Sequence, residues 1–314
     1  MIALLAPGQG SQTPGMLTPW LDDPGAEETL GSWSEVTGLD LRRLGTTAEA
    51  DEIKDTAVTQ PLVVAAALLA AARLSAKSGP PATAPIAGHS VGELAAAAVA
   101  GVLTPDAAVA LAAVRGREMA AACALEPTGM SAVLGGDPDE VLAAVERLGL
   151  DPANRNGAGQ VVAAGPLAAL EELAANPPGR ARVKALPVAG AFHTRFMAPA
   201  EEAMRAHAAG ISPADPVFPL LSNADGELVT SGADALARLV AQVTRPVRWD
   251  ACMATLHKLG VTAVIELPPA GALVGLVKRE LKGTATLAMK SPDELDKAAA
   301  LIVEHAGPEN GAEA

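Results

Sequence analysis

Apolar and polar positions change rhythm several times along the chain, and each change marks an element. Residues 2–6 are apolar throughout, as a strand buried on both faces requires, and they run into the glycine-rich turn Pro7-Gly8-Gln9-Gly10-Ser11-Gln12. Helical spacing appears over 30–36 and 51–54, and strongly over 60–76. The loop 77–84 then leads to a short apolar strand ahead of Gly88. Helices are predicted at 93–100 and 105–122, the second with Thr104 as N-cap and Pro105 at its first position.

After Pro127 the rhythm shifts. Strand 130–134, helix 139–148, strands 151–156 and 160–164, helix 167–175 and strand 181–187 follow in order. That βαββαβ order is the split βαβ arrangement of a ferredoxin-like unit, and its size suits a compact insertion. The expected organisation is a catalytic subdomain from 1–127 and 188–306, an insertion at 128–187 and a disordered tail at 307–314. A helix from 199 to about 209, strand-like 217–221, helices 234–242 and 250–259 and strand 263–267 resume an α/β alternation.

Composition narrows the function classes. Half of the 314 residues are hydrophobic but only 2% are aromatic, with no Tyr, so the core is built from Ala, Leu and Val. A formal charge of −13 without any Lys/Arg run argues against nucleic acid as a ligand. Cys123 and Cys252 stand alone in apolar stretches and read as small buried hydrophobes of a reducing compartment. The apolar stretches 62–72 and 94–103 fall short of the ~18–20 residues of a bilayer span, and the N-terminus has no basic, long-apolar signal pattern. A soluble cytoplasmic protein is expected, monomeric and without metal or cofactor.

The most informative segment is Gly88-His89-Ser90-Val91-Gly92-Glu93, entered from a strand and left into a helix. In a Gly-x-Ser-x-Gly elbow the serine takes a strained backbone, and the glycines let strand and helix approach. Ser90 Oγ then stands at a helix N-terminus, where the N–H of Val91 can meet a developing oxyanion. A serine nucleophile needs a base. His89 should point away from its neighbour, and His207, His257 and His305 lie in solvated helical settings. His193 sits in the loop Val188-Ala189-Gly190-Ala191-Phe192-His193-Thr194 after the last strand of the insertion, a position that favours catalysis only slightly over a structural role.

Five segments occur in register: Gly8-Gln9-Gly10-Ser11-Gln12, Gly88-His89-Ser90-Val91-Gly92-Glu93, Arg115-Gly116-Arg117, Asn156-Gly157-Ala158-Gly159-Gln160-Val161-Val162 and Gly190-Ala191-Phe192-His193. Together they resemble the malonyl-CoA:acyl carrier protein transacylase family of fatty acid synthesis, and the related acyltransferase domains of polyketide synthases. The resemblance runs from residue 2 to about 290. It implies an α/β-hydrolase-like large subdomain with an inserted ferredoxin-like small one. It also implies that Ser90 attacks the thioester of malonyl-CoA, that His193 is the base, and that the N–H groups of Gln9 and Val91 form the oxyanion hole. Arg115 matches the arginine that holds the malonyl carboxylate, a planar fork suited to bidentate contact; taken alone it reads as a surface helix residue, and Arg117 as structural.

Asn156 matches an acyl-pocket asparagine, and equally reads as a turn residue before Gly157. No acidic residue is obviously placed to orient His193. The resemblance assigns that task to a main-chain carbonyl in Pro246-Val247-Arg248-Trp249, with Arg248 as the aligned position and Asp250 as a rival. Phe192 before His193 resembles malonyl-selective relatives, since a bulky ring crowds out an extra methyl. The acceptor is expected to be the phosphopantetheine thiol of an acyl carrier protein. A discrete polyketide acyltransferase, a serine thioesterase or hydrolase, and a degenerate interaction module are the alternatives. An acidic enzyme needs a local basic patch for an acidic carrier. Arg180, Arg182, Lys184 and Arg195 form one candidate, and Lys278, Arg279 and Lys282 another.

Overall fold

Strand β1 (Ile2–Ala6) is the middle of the molecule because it is apolar on both faces, Ile2, Leu4 and Ala6 packing into one core and Ala3 and Leu5 into another. The computed structural model describes residues 1–306. The tail expected at 307–314 lies outside the described residues. After β1 come α1 (Pro24–Thr37), α2 (Leu41–Thr46) and α3 (Thr56–Ser78), then β2 (Ile86–Gly88), α4 (Gly92–Val99) and α5 (Pro105–Cys123). The N-cap expected at Thr104 is present, its hydroxyl accepting the N–H of Ala107 at 3.1 Å.

The next stretch gives β3 (Thr128–Leu134), α6 (Pro138–Arg147), β4 (Asp151–Gly157), β5 (Gln160–Pro166), α7 (Leu167–Ala175) and β6 (Arg182–Ala185). These strands form an antiparallel sheet in the order β4-β5-β3-β6, with its own small core around Val133, Val145 and Leu173. This is the βαββαβ unit read from the sequence.

The chain continues through α8 (Ala198–Ala208), β7 (Leu220–Leu221), β8 (Leu228–Val229), α9 (Gly232–Ala241), α10 (Trp249–Lys258), β9 (Ala263–Glu266), α11 (Ala272–Glu280), β10 (Ala285–Ala288) and α12 (Leu295–His305). A six-stranded sheet, β10-β9-β1-β2-β7-β8, is parallel except for the β7–β8 pair. Helices cover both faces, as a parallel sheet requires. The fold is α/β with two subdomains.

Several expectations shift. Residues 51–54 yield only a 3-10 turn, Glu52–Lys54. The strand expected over 217–221 shrinks to Leu220–Leu221, because Pro216 and Pro219 cannot donate to a ladder and the Val217 N–H goes to the Ala100 carbonyl instead. The helix α3 is longer than its apolar run suggests. At 23 residues and mean hydropathy 1.7 it is long and apolar enough to cross a membrane, yet 78% of that window is buried inside the fold.

Main-chain bonds tie the small sheet to the large subdomain. Arg155 N–H donates to the Val247 carbonyl at 2.9 Å, and Val247 N–H to the Ala153 carbonyl at 2.8 Å. The edge of β4 is thereby registered against the segment between α9 and α10.

Candidate active site

Ser90 occupies the turn between β2 and α4 with φ 55°, a left-handed backbone that L-residues adopt only under constraint. The constraint is the crossing itself. A Cβ on Gly88 would lie 2.1 Å from Gly92 C, and one on Gly92 would lie 2.3 Å from Ala6 O, so only glycine fits at either place. The elbow is therefore held open by close backbone contact between β1, β2 and α4.

His193 reaches the same point from the other side of the cleft. Its Nε2 is 2.7 Å from Ser90 Oγ, and its Nδ1 is 2.9 Å from the main-chain carbonyl of Gln242. A carbonyl only accepts, so Nδ1 carries the proton and Nε2 is free to take the serine proton. Burial, and then the neighbouring Arg115 charge, push the imidazole down to about 3. The base is thus neutral and ready to receive a proton.

The orienting group differs from the one the resemblance indicated. Arg248 offers its carbonyl to the N–H of Cys252 at the start of α10, so that oxygen is committed to the helix. Its side chain grips Asp250 at 2.9 and 3.2 Å, and Arg155 holds the same carboxylate at 3.2 Å. Neither Arg248 nor Asp250 is the partner of His193; Gln242, six residues earlier, is.

Arg115 is not a surface residue. It is 1% exposed, its Nη2 lies 3.3 Å from Ser90 Oγ, and its other bonds go to the neutral amides of Gln60 (2.7 Å) and Gln242 (2.9 Å). Its Nε is buried without an acceptor, and among the described residues it has no carboxylate at ion-pair distance. Burial lowers it to about 10, with Glu93 opposing, so it keeps its charge at neutral pH. A buried cation with an unused N–H beside a nucleophile is a site for an anionic group.

Ser90, His193, Arg115, Gln9, Asn156 and Phe192 line one cavity of about 190 Å³. Gln9 rests on its glycine turn with its side chain on Thr56 (3.3 Å). Among the described residues, the main-chain N–H groups of Gln9 and Val91 donate to no protein acceptor. The N–H of Ser90, in contrast, is taken by Asn223 Oδ1 at 2.9 Å. Asn156 has both ends occupied, accepting from His89 Nε2 (2.9 Å) and donating to Gln160 (3.1 Å). His89 lines the same cavity, but its ring bonds Asn156 and stands edge-on to Trp249 rather than bonding Ser90. A larger cavity of about 500 Å³, with Arg155, Arg238, Arg245 and Arg248 in its wall, holds no nucleophile and base, so the chemistry belongs to the smaller one. No cluster of three or more potential metal ligands occurs among the described residues.

Sequence reasoning missed Gln242, Asn223 and Gln60. Gln242 ends an amphipathic helix and Asn223 begins a turn-like Asn-Ala-Asp-Gly, contexts with no local sign of buried function.

Residues 4–302 match the family model described as acyl transferase domain. The malonyl CoA-acyl carrier protein transacylase of Mycobacterium tuberculosis is 62% identical over 304 residues, covering 96% of this chain and 100% of the relative. A crystal structure of MCAT from the same organism superposes with a TM-score of 0.92 at 61% identity, over 95% of this chain and 99% of that one. A structure described as PlMCAT:AntF, a type II polyketide synthase acyl-carrier protein in complex with its malonyl-transacylase, gives 0.88 at 31% identity, over 96% and 99%.

Proposed function

The chain belongs to the acyl transferase domain family, and on that premise we propose that it moves a malonyl group from coenzyme A to the phosphopantetheine thiol of an acyl carrier protein. The transfer runs in two halves through Ser90. In the first, Ser90 Oγ attacks the thioester carbonyl while His193 Nε2 takes its proton. The carbon–sulfur bond breaks and the coenzyme A thiol leaves with that proton. In the second, the imidazole takes the proton of the carrier thiol as its sulfur attacks the malonyl-serine ester, and gives that proton to Ser90 Oγ as the ester carbon–oxygen bond breaks. The N–H groups of Gln9 and Val91 receive the oxyanion in both halves.

Arg115 carries this reading. A desolvated guanidinium 3.3 Å from the nucleophile, with one N–H unused, fits the distal carboxylate of a diacid and has no use for a neutral acyl chain. It also disfavours a general thioesterase, which needs the same serine and histidine but no buried cation. Residues 128–187 are read as the inserted unit that covers the site, and the enzyme as a cytoplasmic monomer. Two exposed basic surfaces suit an acidic carrier: Arg180, Arg182 and Lys184 near β6, and Lys278, Arg279 and Lys282 at the end of α11. Charge reversal that raises the carrier KM at low salt identifies the one used.

The deciding experiment is rapid mixing with labelled malonyl-CoA, with and without a phosphopantetheinylated carrier. Label is expected on Ser90 in a burst, then on the carrier faster than in free malonate. Loss of label to water at the same rate with and without carrier would mean a hydrolase.

A further inference from the structure

Glu93 stands three residues beyond Ser90 on α4, is 5% exposed, and lies outside the cavity that holds the nucleophile. Its Oε1 accepts the N–H of Asn223 at 2.5 Å, and its Oε2 meets Nε2 of Gln242. Asn223 in turn holds the Ser90 N–H and donates to the Gly88 carbonyl at 2.8 Å. Gln242 holds Arg115 with its side-chain oxygen and His193 with its main-chain oxygen, and its Nε2 also reaches the Ser90 carbonyl at 3.1 Å. Ser90, His193 and Arg115 are thus each held by Asn223 or Gln242, and both of these residues end on the same carboxylate.

We propose that Glu93 is the positioning residue of the transfer, acting through Gln242 and Asn223 to set Arg115, His193 and Ser90 together. The inference rests on the malonyl-transfer reading above. Gln242 turns its oxygen to Arg115 because its NH2 faces acceptors, the Glu93 carboxylate together with the Ser90 carbonyl and Asn223 Oδ1. The ionised carboxylate accepts from the Asn223 N–H and the Gln242 NH2 at once, whereas a protonated acid or a glutamine at position 93 carries hydrogen at one end and sets it against one of these two donors. Either Asn223 or Gln242 is then pushed from its place, and the hold on Ser90, His193 and Arg115 loosens.

The ionisable groups facing Glu93 are Arg115 from α5, Arg238 from α9 and Cys252 from α10, with Asp225 and Asp250 beyond the thiol. Burial raises Glu93 to about 8, lowers Arg115 to about 10, and with Glu93 pushes the Cys252 thiol upward out of reach. His193 is held near 3. Of these four groups, Glu93 is the one brought close to neutrality.

The test is the rate of malonyl-Ser90 formation by rapid quench, across the neutral and mildly alkaline range, for the native enzyme and Glu93→Gln. The native rate is expected to climb through about pH 8, as the carboxylate forms. Glu93→Gln is expected to fold, to lose about 10- to 100-fold in rate with a raised malonyl-CoA KM, and to lose the climb. A variant with the native rate overturns the proposal, and so does one slowed equally at every pH with the climb intact, which is a purely structural effect. Should Glu93→Gln not fold, a native profile without the climb overturns it. The two readings separate cleanly: if the native enzyme takes no malonyl label, the transfer reading fails. Acylation of Ser90 by a neutral activated acetate ester still reports the effect of position 93.

Discussion

Ser90 and His193 meet at 2.7 Å, and both hold a left-handed backbone, φ 55° and 61°. Nucleophile and base are each kept in a conformation that costs about 1–2 kcal/mol for an L-residue. That strain is carried by the surrounding packing, and it aims the two side chains at each other. The expected consequence is that Ser90→Gly, inactive, is more stable than Ser90→Ala, also inactive, by about 0.5–1 kcal/mol. Denaturant melts of the two variants check this.

Arg115→Ala is expected to lower kcat/KM for malonyl-CoA by about 10- to 150-fold, since charge-assisted bonds to a buried guanidinium contribute about 1.5–3 kcal/mol. Transfer of acetyl, which has no distal carboxylate, should change far less. Equal losses with both donors would remove the clamp role.

Phe192 lines the cavity beside His193. Competition between malonyl- and methylmalonyl-CoA should favour malonyl by about tenfold or more, the effect of one extra methyl in a tight site. Phe192→Ser is expected to narrow that ratio, measured by mass spectrometry of the acyl-enzyme.

His193 has its pKa lowered in the folded state, so its contribution to stability is present above its unfolded value of about 6.5 and fades as pH falls toward about 3. Glu93 has the opposite sign. Its raised pKa gives stability that is present below about 4.5 and is lost as pH rises through about 8. Melting curves of the native protein minus those of His193→Ala should show the acid-side loss, and subtraction of Glu93→Gln the alkaline-side loss.

Two glycine substitutions should differ in sign. Gly92→Ala drives a Cβ to 2.3 Å from a main-chain oxygen, and a loss of at least about 1–3 kcal/mol is expected. Gly31→Ala sits inside α1 with nothing within 4 Å and should gain about 0.5–1 kcal/mol. Thermal melts decide both.

The elbow was legible because its chemistry is local: two glycines, a serine, and the strand and helix that flank them. The βαββαβ order was legible for the same reason, each element announcing itself by period. Gln242 was not. Its oxygen works because α9 ends beside a loop 49 residues earlier in the chain, and nothing within the helix signals that meeting. The burial of Arg115 was hidden likewise, for α5 is alanine-rich and Arg115 sits close in sequence to the charged Arg117 and Glu118, which gives no sign of which side faces the cleft. The last helices, α11 and α12, were not anticipated either. They cover opposite faces of the sheet, α12 on the side of Ile2 and Ile265 and α11 on the side of Leu5 and Val264, and the need for that cover depends on strand order.

The main-chain bonds between β4 and Val247 carry one last implication. Asn154 and Asn156 project from that strand into the cavity, and Gln242 lies five residues before the residue to which the strand is pinned. The small sheet therefore cannot hinge away like a jaw without first breaking two amide–carbonyl bonds. The width of the cleft is a built-in gauge, and acyl groups of different size must be sorted by the side chains that line it.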